Sequence, residues 1–303
     1  MEKYLGRVNV VASAIGKIEP APDIIAVQEI ESVRALEDLS NSLSNYGWAY
    51  FANNPGAIGL GIMSRFPLKE TRIHSINING ITTPRPVLET QIEAGGETLV
   101  LFVCHWKSKL GGDDETEAVR RASARVILRR IRELAKQEPE LPVIIMGDLN
   151  ENHDEFYRHS GTIISALLPD DPRSAELAGF SRTEDGPSQS GGKPQMDFII
   201  VSGDKPPVAR SFPRDVLAFY SPWAELKNGS YYYKDDWETI DHFLISGQLF
   251  NNIGWEFENC VIIDYPPFIN AKGHPVPYNP RTGAGLSDHL PLMLTLKKQD
   301  GNF

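Results

Sequence analysis

A short apolar run meets a polar turn in the stretch Pro142-Val143-Ile144-Ile145-Met146-Gly147-Asp148-Leu149-Asn150. The apolar part is rich in β-branched residues and stops at a glycine, which is typical of a buried β-strand followed by a turn. Asp148 and Asn150 are therefore predicted to lie at the end of a strand. Taken alone, they are equally compatible with an ordinary turn, because Asp, Asn and Gly are the usual turn formers.

Further apolar runs of similar length and composition predict more strands. They cover residues 23–27, 58–63, 98–104, 198–201, 240–245 and 290–296. Helical periodicity predicts helices over residues 3–18, 31–43 and 115–136. Strands mixed with helices, without repeats or a low-complexity linker, favour one α/β domain over residues 1–303. Residues 169–233, rich in Pro, Gly, Ser and aromatics, are interpreted as long loops on its rim.

Composition narrows the classes of protein. The 303 residues carry a formal net charge of −10, which argues against a general nucleic-acid coat but not against a nuclease, since metal sites are acidic. No apolar run is long enough to span a bilayer, and the chain as written shows no signal peptide, so a soluble protein is expected. Two cysteines argue against a disulfide scaffold, and Cys104 is predicted to be a buried thiol. Compartment and oligomeric state stay open.

Polar residues recur at the ends of the predicted strands. Gln28-Glu29, His105 and the Asp148 turn follow early strands, whereas Asp241-His242 and Ser287-Asp288-His289 open late ones. Early strands thus carry these groups at their carboxyl ends and late strands at their amino ends. If the late strands run antiparallel to the early ones, all of these groups meet on one rim of the domain.

Such a rim has the chemistry of metal-assisted hydrolysis. Glu29 and Asp288 offer the hard carboxylate oxygens that Mg²⁺ or Mn²⁺ binds. His105 and His289 suit general acid and base catalysis near neutral pH, and Asp241 suits the orientation of one imidazole. Each motif alone also fits a strand end, a turn, a surface ion pair or a core histidine. Their conjunction favours the catalytic interpretation.

These residues, in this order, resemble the endonuclease/exonuclease/phosphatase superfamily, which includes abasic-site endonucleases, pancreatic-type deoxyribonucleases and neutral sphingomyelinases. The resemblance covers about residues 20 to 297. The matching motifs are Ile25-Ala26-Val27-Gln28-Glu29-Ile30, His105-Trp106-Lys107-Ser108-Lys109, Gly147-Asp148-Leu149-Asn150, Ile240-Asp241-His242-Phe243 and Ser287-Asp288-His289-Leu290-Pro291. Trp237 and residues 229–233 are similar to a bacterial branch of the family. The resemblance implies a four-layer α/β sandwich, with two mixed sheets packed face to face and helices outside.

The resemblance also implies roles for residues of this sequence. It implies that Glu29 holds the metal with Asp288 nearby, that Asp148 orients or activates the attacking water, and that Asn150 binds phosphate. It further implies that His289, supported by Asp241, is the base or a phosphate contact, and that His105 is the acid or a phosphate contact. Lys107 and Lys109 would add local positive charge for substrate binding.

The expected activity is Mg²⁺- or Mn²⁺-dependent hydrolysis of phosphate esters, most simply by a nuclease-like phosphodiesterase. A phosphomonoesterase, a phospholipid-headgroup hydrolase and a non-catalytic binding member of the fold are the alternatives. The expected partner is a phosphoester substrate, with nucleic acid as one candidate.

Two departures from the family pattern stand out. Family members begin with a central strand carrying a metal-site Asn, whereas Met1 falls where the following helix begins; an N-terminally extended chain is therefore predicted to be more active. Asp197, followed by Phe198, is a second match to the Asp-aromatic motif, and Asp241 is preferred because Trp237 precedes it.

Two sets of side chains bear on the substrate. The arginines of residues 115–136 fit a solvated helix face better than a phosphate-binding face. The aromatics Trp223, Tyr231, Tyr232, Tyr233 and Trp237 fit either stacking on substrate rings or packing of a long loop.

Overall fold

The computed structural model describes residues 2–53, 58–183, 186–189, 196–213 and 215–299. The helices are α1 (Glu2–Ile15), α2 (Val33–Leu43), α3 (Asp113–Ala135), α4 (Glu155–Arg158) and α5 (Pro172–Leu177). Two 3-10 helices cover Pro222–Ala224 and Gly247–Phe250. The first strands are β1 (Ile24–Ile30), β2 (Trp48–Ala52), β3 (Gly59–Ser64), β4 (Leu68–His74), β5 (Asn77–Ile78), β6 (Ile81–Thr82), β7 (Val87–Ala94), β8 (Glu97–His105), β9 (Val143–Asp148) and β10 (Leu167–Pro169). The remaining strands are β11 (Phe180–Thr183), β12 (Gly186–Gln189), β13 (Ile199–Ser202), β14 (Ala218–Tyr220), β15 (Tyr231–Tyr233), β16 (Asp236–Glu238), β17 (Asp241–Ile245), β18 (Trp255–Ile262) and β19 (Leu292–Lys298).

A mixed eight-stranded sheet forms one of the central layers, in the order β10-β13-β14-β17-β9-β8-β7-β4. Its central strands β8 and β9 are parallel, and β17 runs antiparallel to β9 on the other side. Side chains alternate between the faces of β8: Phe102 packs towards the helical side, whereas Leu101 packs towards the second strand layer. This burial on both faces explains the nearly continuous apolar run of the sequence.

The second strand layer consists of two antiparallel pieces. One has the order β1-β3-β2, and the other pairs β18 with β19. Apolar residues of both pieces, among them Ile62 and Leu294, join the same core against the eight-stranded sheet. Among the described residues, β1 hydrogen-bonds as a strand only to β3, and β19 only to β18. Strand β2 likewise pairs only with β3, and β18 only with β19, so in the described part of the chain each piece has two edge strands: β1 and β2 in one, and β18 and β19 in the other.

Helices cover both outer faces. Helix α3 packs on the eight-stranded sheet through residues such as Ala124, Ile127 and Leu128. Helix α1 covers the other layer, because Val8 packs with β1 residues and Ala14 packs with residues of the β18–β19 piece. The α/β sandwich expected from the sequence is confirmed, with helix, sheet, sheet and helix in succession.

The rim interpretation of residues 169–233 needs correction. Strands β13 and β14 of this stretch are inner members of the large sheet, and Ile199 and Phe219 are fully or almost fully buried. Strand β13 lies where a strand is predicted over residues 198–201, whereas β14 is only three residues long and offers little periodicity to recognise. Cys104 is buried as predicted. In the described part of the chain, no helix is long and apolar enough to cross a membrane.

The arginines of α3 do not share one environment: Arg129 and Arg132 are exposed, whereas Arg120 and Arg130 pair with buried carboxylates. Arg120 is 1% exposed and lies against the Glu117 and Glu151 carboxylates. Arg130 donates two hydrogen bonds to the buried Glu89 of β7. These charges hold the helix to the sheet and to the loop after β9.

Candidate active site

Three of the predicted site residues form one row across neighbouring strands. His105 at the end of β8 is in register with Asp148 at the end of β9, and Asp148 is in register with Asp241 at the start of β17. His105 Nε2 lies 3.4 Å from Asp148 Oδ2. The antiparallel direction of β17 thus brings an amino-terminal residue to the edge where two carboxyl-terminal residues end, as the sequence analysis predicted.

The turn after β9 holds the Asp148 carboxylate in place. The backbone N–H of Asn150 donates to Asp148 Oδ1 at 2.8 Å, and its side-chain Nδ2 donates to Asp148 Oδ2 at 2.9 Å. Asn150 has a positive φ of 50°, which Asn tolerates better than most residues. Position 147 of the same turn requires glycine, because a Cβ there would lie 2.2 Å from the carbonyl oxygen of Cys104.

Asn150 is fully engaged in this turn. Its Nδ2 donates to the Trp106 carbonyl at 3.2 Å as well as to Asp148, so both amide hydrogens have acceptors. The geometry gives Asn150 a role in orienting Asp148. Direct binding of phosphate by Asn150 stays a prediction.

His289 and Asp241 form a hydrogen-bonded pair. His289 Nδ1 donates to Asp241 Oδ2 at 2.7 Å, and the Ser230 hydroxyl donates to the same oxygen at 2.6 Å. The Trp223 indole donates to the Asp241 carbonyl at 2.9 Å, which fixes the start of β17. Trp223 is only 4% exposed, so it packs and positions the strand rather than presenting a ring to substrate.

Three titratable groups of the site have pKa values far from their usual ranges. Burial lowers the pKa of His105 to about 3, and the nearby Arg85 adds to this effect. Burial also raises the pKa of Asp148 well above its usual range, reinforced by the Asp241 carboxylate. Burial opposes protonation of His289, but the Asp241 carboxylate outweighs it and raises the pKa of His289 to about 10. His289 is therefore cationic and His105 neutral near pH 7.

The two predicted metal carboxylates are solvent-facing. The Glu29 side chain is 64% exposed, and its Oε1 lies 4.0 Å from His105 Nε2. A bulge in β1 turns the chain there, and Glu29 has a φ of 59°. Asp288 is exposed and helps to raise the pKa of the neighbouring His289. Among the described residues, no group of three or more His, Cys, Asp and Glu side chains converges as a preformed metal centre.

The two predicted substrate lysines are occupied elsewhere. Lys107 Nζ donates to the carbonyls of Ser108 at 3.2 Å and Leu110 at 3.0 Å. Lys109 Nζ forms an ion pair with the buried Glu155 at 2.5 Å. The structure does not bring these two ammonium groups to the row of His105, Asp148 and Asp241.

A different cation, Arg85, lies at the row. It lines a small cavity together with His105 and Pro86, and its charge acts on Asp148 and Glu29. Its Nη1 is buried without a hydrogen-bond partner among the residues that the structure describes. The pairing of β7 with β8 matches Leu88 with Val103, so the chain just before β7 lies beside His105. A charged residue between two prolines ahead of an apolar strand was the available sequence signal.

A buried network supports the two loops of the site. Arg120 Nε donates to Glu151 at 2.6 Å, directly after the Asn150 turn, and its Nη1 donates to the Lys107 carbonyl at 3.2 Å. Glu155 accepts from the Asn152 backbone at 2.9 Å. Helix α3 is thereby tied to the loop after β8 and to the loop after β9.

The two Asp-aromatic motifs have different surroundings. Asp197 forms an ion pair with Arg121 of α3 at 2.7 Å, whereas Asp241 lies in the row and contacts His289. This geometry supports the choice of Asp241 over Asp197. Its catalytic role stays a prediction.

The model of the Endonuclease/Exonuclease/phosphatase family matches residues 4–289. The chain belongs to this family. No curated protein sequence matches the chain.

Solved structures of three proteins illustrate the similarity of fold. Truncated TDP2 of Caenorhabditis elegans superposes with a TM-score of 0.55 at 17% identity, covering 96% of this chain and 90% of that one. The catalytic domain of human Nocturnin with bound sulfate gives 0.51 at 17% identity, covering 98% and 87%. A mannosyl-6-phosphatase of Bacteroides thetaiotaomicron gives 0.57 at 14% identity, covering 97% and 91%.

Proposed function

We propose that the protein hydrolyses phosphate esters with a bound Mg²⁺ or Mn²⁺, and that it acts as a phosphodiesterase. The observation that carries the proposal is the row of His105, Asp148 and Asp241 on three adjacent strands, with His289 hydrogen-bonded to Asp241. A buried carboxylate, a neutral imidazole and a cationic imidazole at one edge of the large sheet are groups that phosphoryl transfer uses.

The residues present fit a hard divalent cation. Glu29 is an exposed carboxylate at the edge of the row, and Asp288 is an exposed carboxylate next to His289. Mg²⁺ keeps several waters and takes one or two protein carboxylates, so it does not require a closed cluster of ligands. When bound, such an ion neutralises phosphate charge and stabilises the leaving oxygen. Glu29 would hold it, with Asp288 nearby.

The remaining groups divide the work on the substrate. Asp148, oriented by both donors of Asn150, would position the attacking water and draw a proton from it. His289, held by Asp241, would place a positive charge against the phosphate oxygens. His105 and Arg85 would complete the phosphate contacts from β8 and from the segment before β7.

Structural neighbours agree with a phosphoester substrate without naming it. A structure of D. rerio TDP2 contains a single-strand DNA product, and the Nocturnin domain contains a sulfate anion. The Bacteroides thetaiotaomicron neighbour is named as a phosphatase. Both diesters and monoesters therefore belong in the test.

The test measures hydrolysis of bis(p-nitrophenyl) phosphate and p-nitrophenyl phosphate with Mg²⁺, with Mn²⁺ and with a chelator. We expect metal-dependent turnover of the diester that is lost in Asp148→Asn and His289→Ala. Preferred turnover of the monoester would reassign the protein as a phosphomonoesterase. Absence of turnover on plasmid, abasic DNA, phospholipid and both chromogenic esters would reject the enzyme and leave a binding protein.

A further inference from the structure

The β15–β16 hairpin sorts its aromatic side chains onto two faces. Strand residues alternate, so Tyr231 and Tyr233 share one face and Tyr232 lies on the other. Tyr232 stacks on His274 with ring centroids 3.8 Å apart and packs against Trp237 at 5.1 Å. That face is a packing contact.

The opposite face leads out of the candidate active site. Tyr231 is bridged to His289 by a β-bridge, and the two rings have centroids 4.6 Å apart. Tyr233 is nearly parallel to Tyr231, at 5.9 Å and an interplanar angle of 16°. Tyr233 is 49% exposed. An aromatic series therefore begins at a proposed phosphate-contacting residue and ends at a half-exposed ring, over which the Lys234 ammonium group lies.

The hairpin is held rigidly in this position. Its two turn residues, Lys234 and Asp235, have positive φ of 49° and 65°, as in the tight two-residue turn of a type I′ hairpin. The Ser230 N–H donates to the Glu238 carbonyl at 3.0 Å, and the Leu290 N–H donates to the Ser230 carbonyl at 2.7 Å. These bonds fix the hairpin to the segment that carries His289. The two rings are thus preorganised rather than parts of a loose loop.

The charges of the hairpin argue against a track for a phosphate chain. Its one cation, Lys234, lies over the Tyr233 ring at 5.1 Å, while Asp235, Asp236 and Glu238 are acidic. A run of nucleic-acid phosphates needs clustered lysines and arginines. The β15–β16 hairpin presents aromatic rings but no cluster of positive charge.

We infer that Tyr231 and Tyr233 form a ring-binding subsite for one ester arm of the substrate. The inference rests on the proposed function. This subsite would bind a planar aromatic group, such as a nucleobase or an aryl ring, that is esterified to the phosphate of a compact substrate. Stacking on an aromatic side chain recognises the flat face of any such ring and needs no particular hydrogen bonds.

The test compares two diesters with the same leaving group. Bis(p-nitrophenyl) phosphate carries a ring on its second arm, and methyl p-nitrophenyl phosphate carries a methyl group. We expect the wild-type KM to be about tenfold lower for the ring-bearing ester. Tyr233→Ala should raise that KM by about tenfold with little change in kcat, and leave the KM of the methyl ester as it was.

Two variants serve as matched controls. Tyr233→Phe keeps the ring and should behave as wild type, and Tyr232→Ala removes the neighbouring ring from the packing face and should keep the wild-type ratio of the two KM values. Equal KM values for both esters in the wild type, or an equal rise of both in Tyr233→Ala, would overturn the subsite. A ratio that collapses at high salt would show recognition by charge and would overturn it too.

Failure of the proposed function is a separate outcome. If neither ester is hydrolysed, binding of phenylphosphonate and methylphosphonate by titration calorimetry tests the subsite without turnover. We then expect phenylphosphonate to bind more tightly to wild type and to Tyr233→Phe, but not to Tyr233→Ala. Equal affinities for the two phosphonates in the wild type would reject the ring-binding subsite.

Discussion

Asp241 and Asp148 lie opposite each other on antiparallel strands, and Asp241 also holds His289 through a hydrogen bond of 2.7 Å. One carboxylate thus raises the pKa of its neighbouring acid and of its histidine partner at the same time. Both shifts favour proton uptake, which removes the charge of the Asp148 carboxylate and adds a charge to the His289 imidazole.

The pairing of Asp241 with His289 predicts a large effect of Asp241→Asn. An amide in this position neither stabilises the imidazolium nor fixes its orientation, so kcat should fall by about 10² to 10⁴. The matched control is Asp197→Asn, which removes a carboxylate that forms an ion pair with Arg121 of α3 and should keep activity within about twofold. Steady-state kinetics on the diester decides it, and a greater loss at Asp197 would reverse the assignment.

Because the Glu29 side chain is exposed, we expect Glu29→Gln to weaken metal binding without unfolding the protein. Its side chain is 64% exposed, so Glu29→Gln should change stability by no more than about 0.5 kcal/mol. The concentration of Mg²⁺ for half-maximal activity should rise by about tenfold or more. Titration calorimetry with Mg²⁺ alone gives an independent readout. Glu31→Gln, an exposed neighbour, is the control, and identical titrations for both variants would remove Glu29 from the metal site.

Arg85, rather than Lys107, is predicted to be the functional cation. Arg85→Ala should lower kcat/KM by about 10², because a half-buried guanidinium that lines a cavity with His105 is lost. Lys107→Ala should lower it by less than about threefold, since that ammonium group binds two loop carbonyls. A larger loss at Lys107 would restore the prediction from the sequence.

The buried Glu89 predicts a specific loss of stability in acid. Burial alone would raise the pKa of Glu89, but hydrogen bonds from His74 and Arg130 outweigh it and lower the pKa. Because the folded pKa is depressed, this stabilisation is complete above the unfolded pKa and is lost as the pH falls through the lower, folded value.

Glu89→Gln is the variant that tests this linkage. It should cost about 3 kcal/mol at neutral pH, because Arg130 then lacks its buried partner. Urea unfolding at neutral pH and below about pH 4 measures both effects. The variant should lose less stability than wild type between these conditions, and parallel losses would contradict the linkage.

Much of the site was readable from local sequence. His105, Asp148 and Asp241 each lie at one end of a short apolar run, and the three ends meet at the same edge of the sheet. Strand direction remained a hypothesis at that level, because no residue pattern within 240–245 distinguishes parallel from antiparallel pairing. The structure resolved it through the β17–β9 register.

What the chain itself determined is the set of strands with polar ends and the family to which they belong, because apolar period and turn chemistry are local properties. Only the tertiary structure decided which charges remain at the site. Lys109 lies only four residues after His105, yet the buried Glu155 binds it. Arg85 lies twenty residues before His105 and reaches it through the pairing of β7 with β8. The physical reason is that an unpaired buried carboxylate is costly, so Glu155 is paired with a cation. Strand register, not distance along the sequence, decides which cation lies near each group.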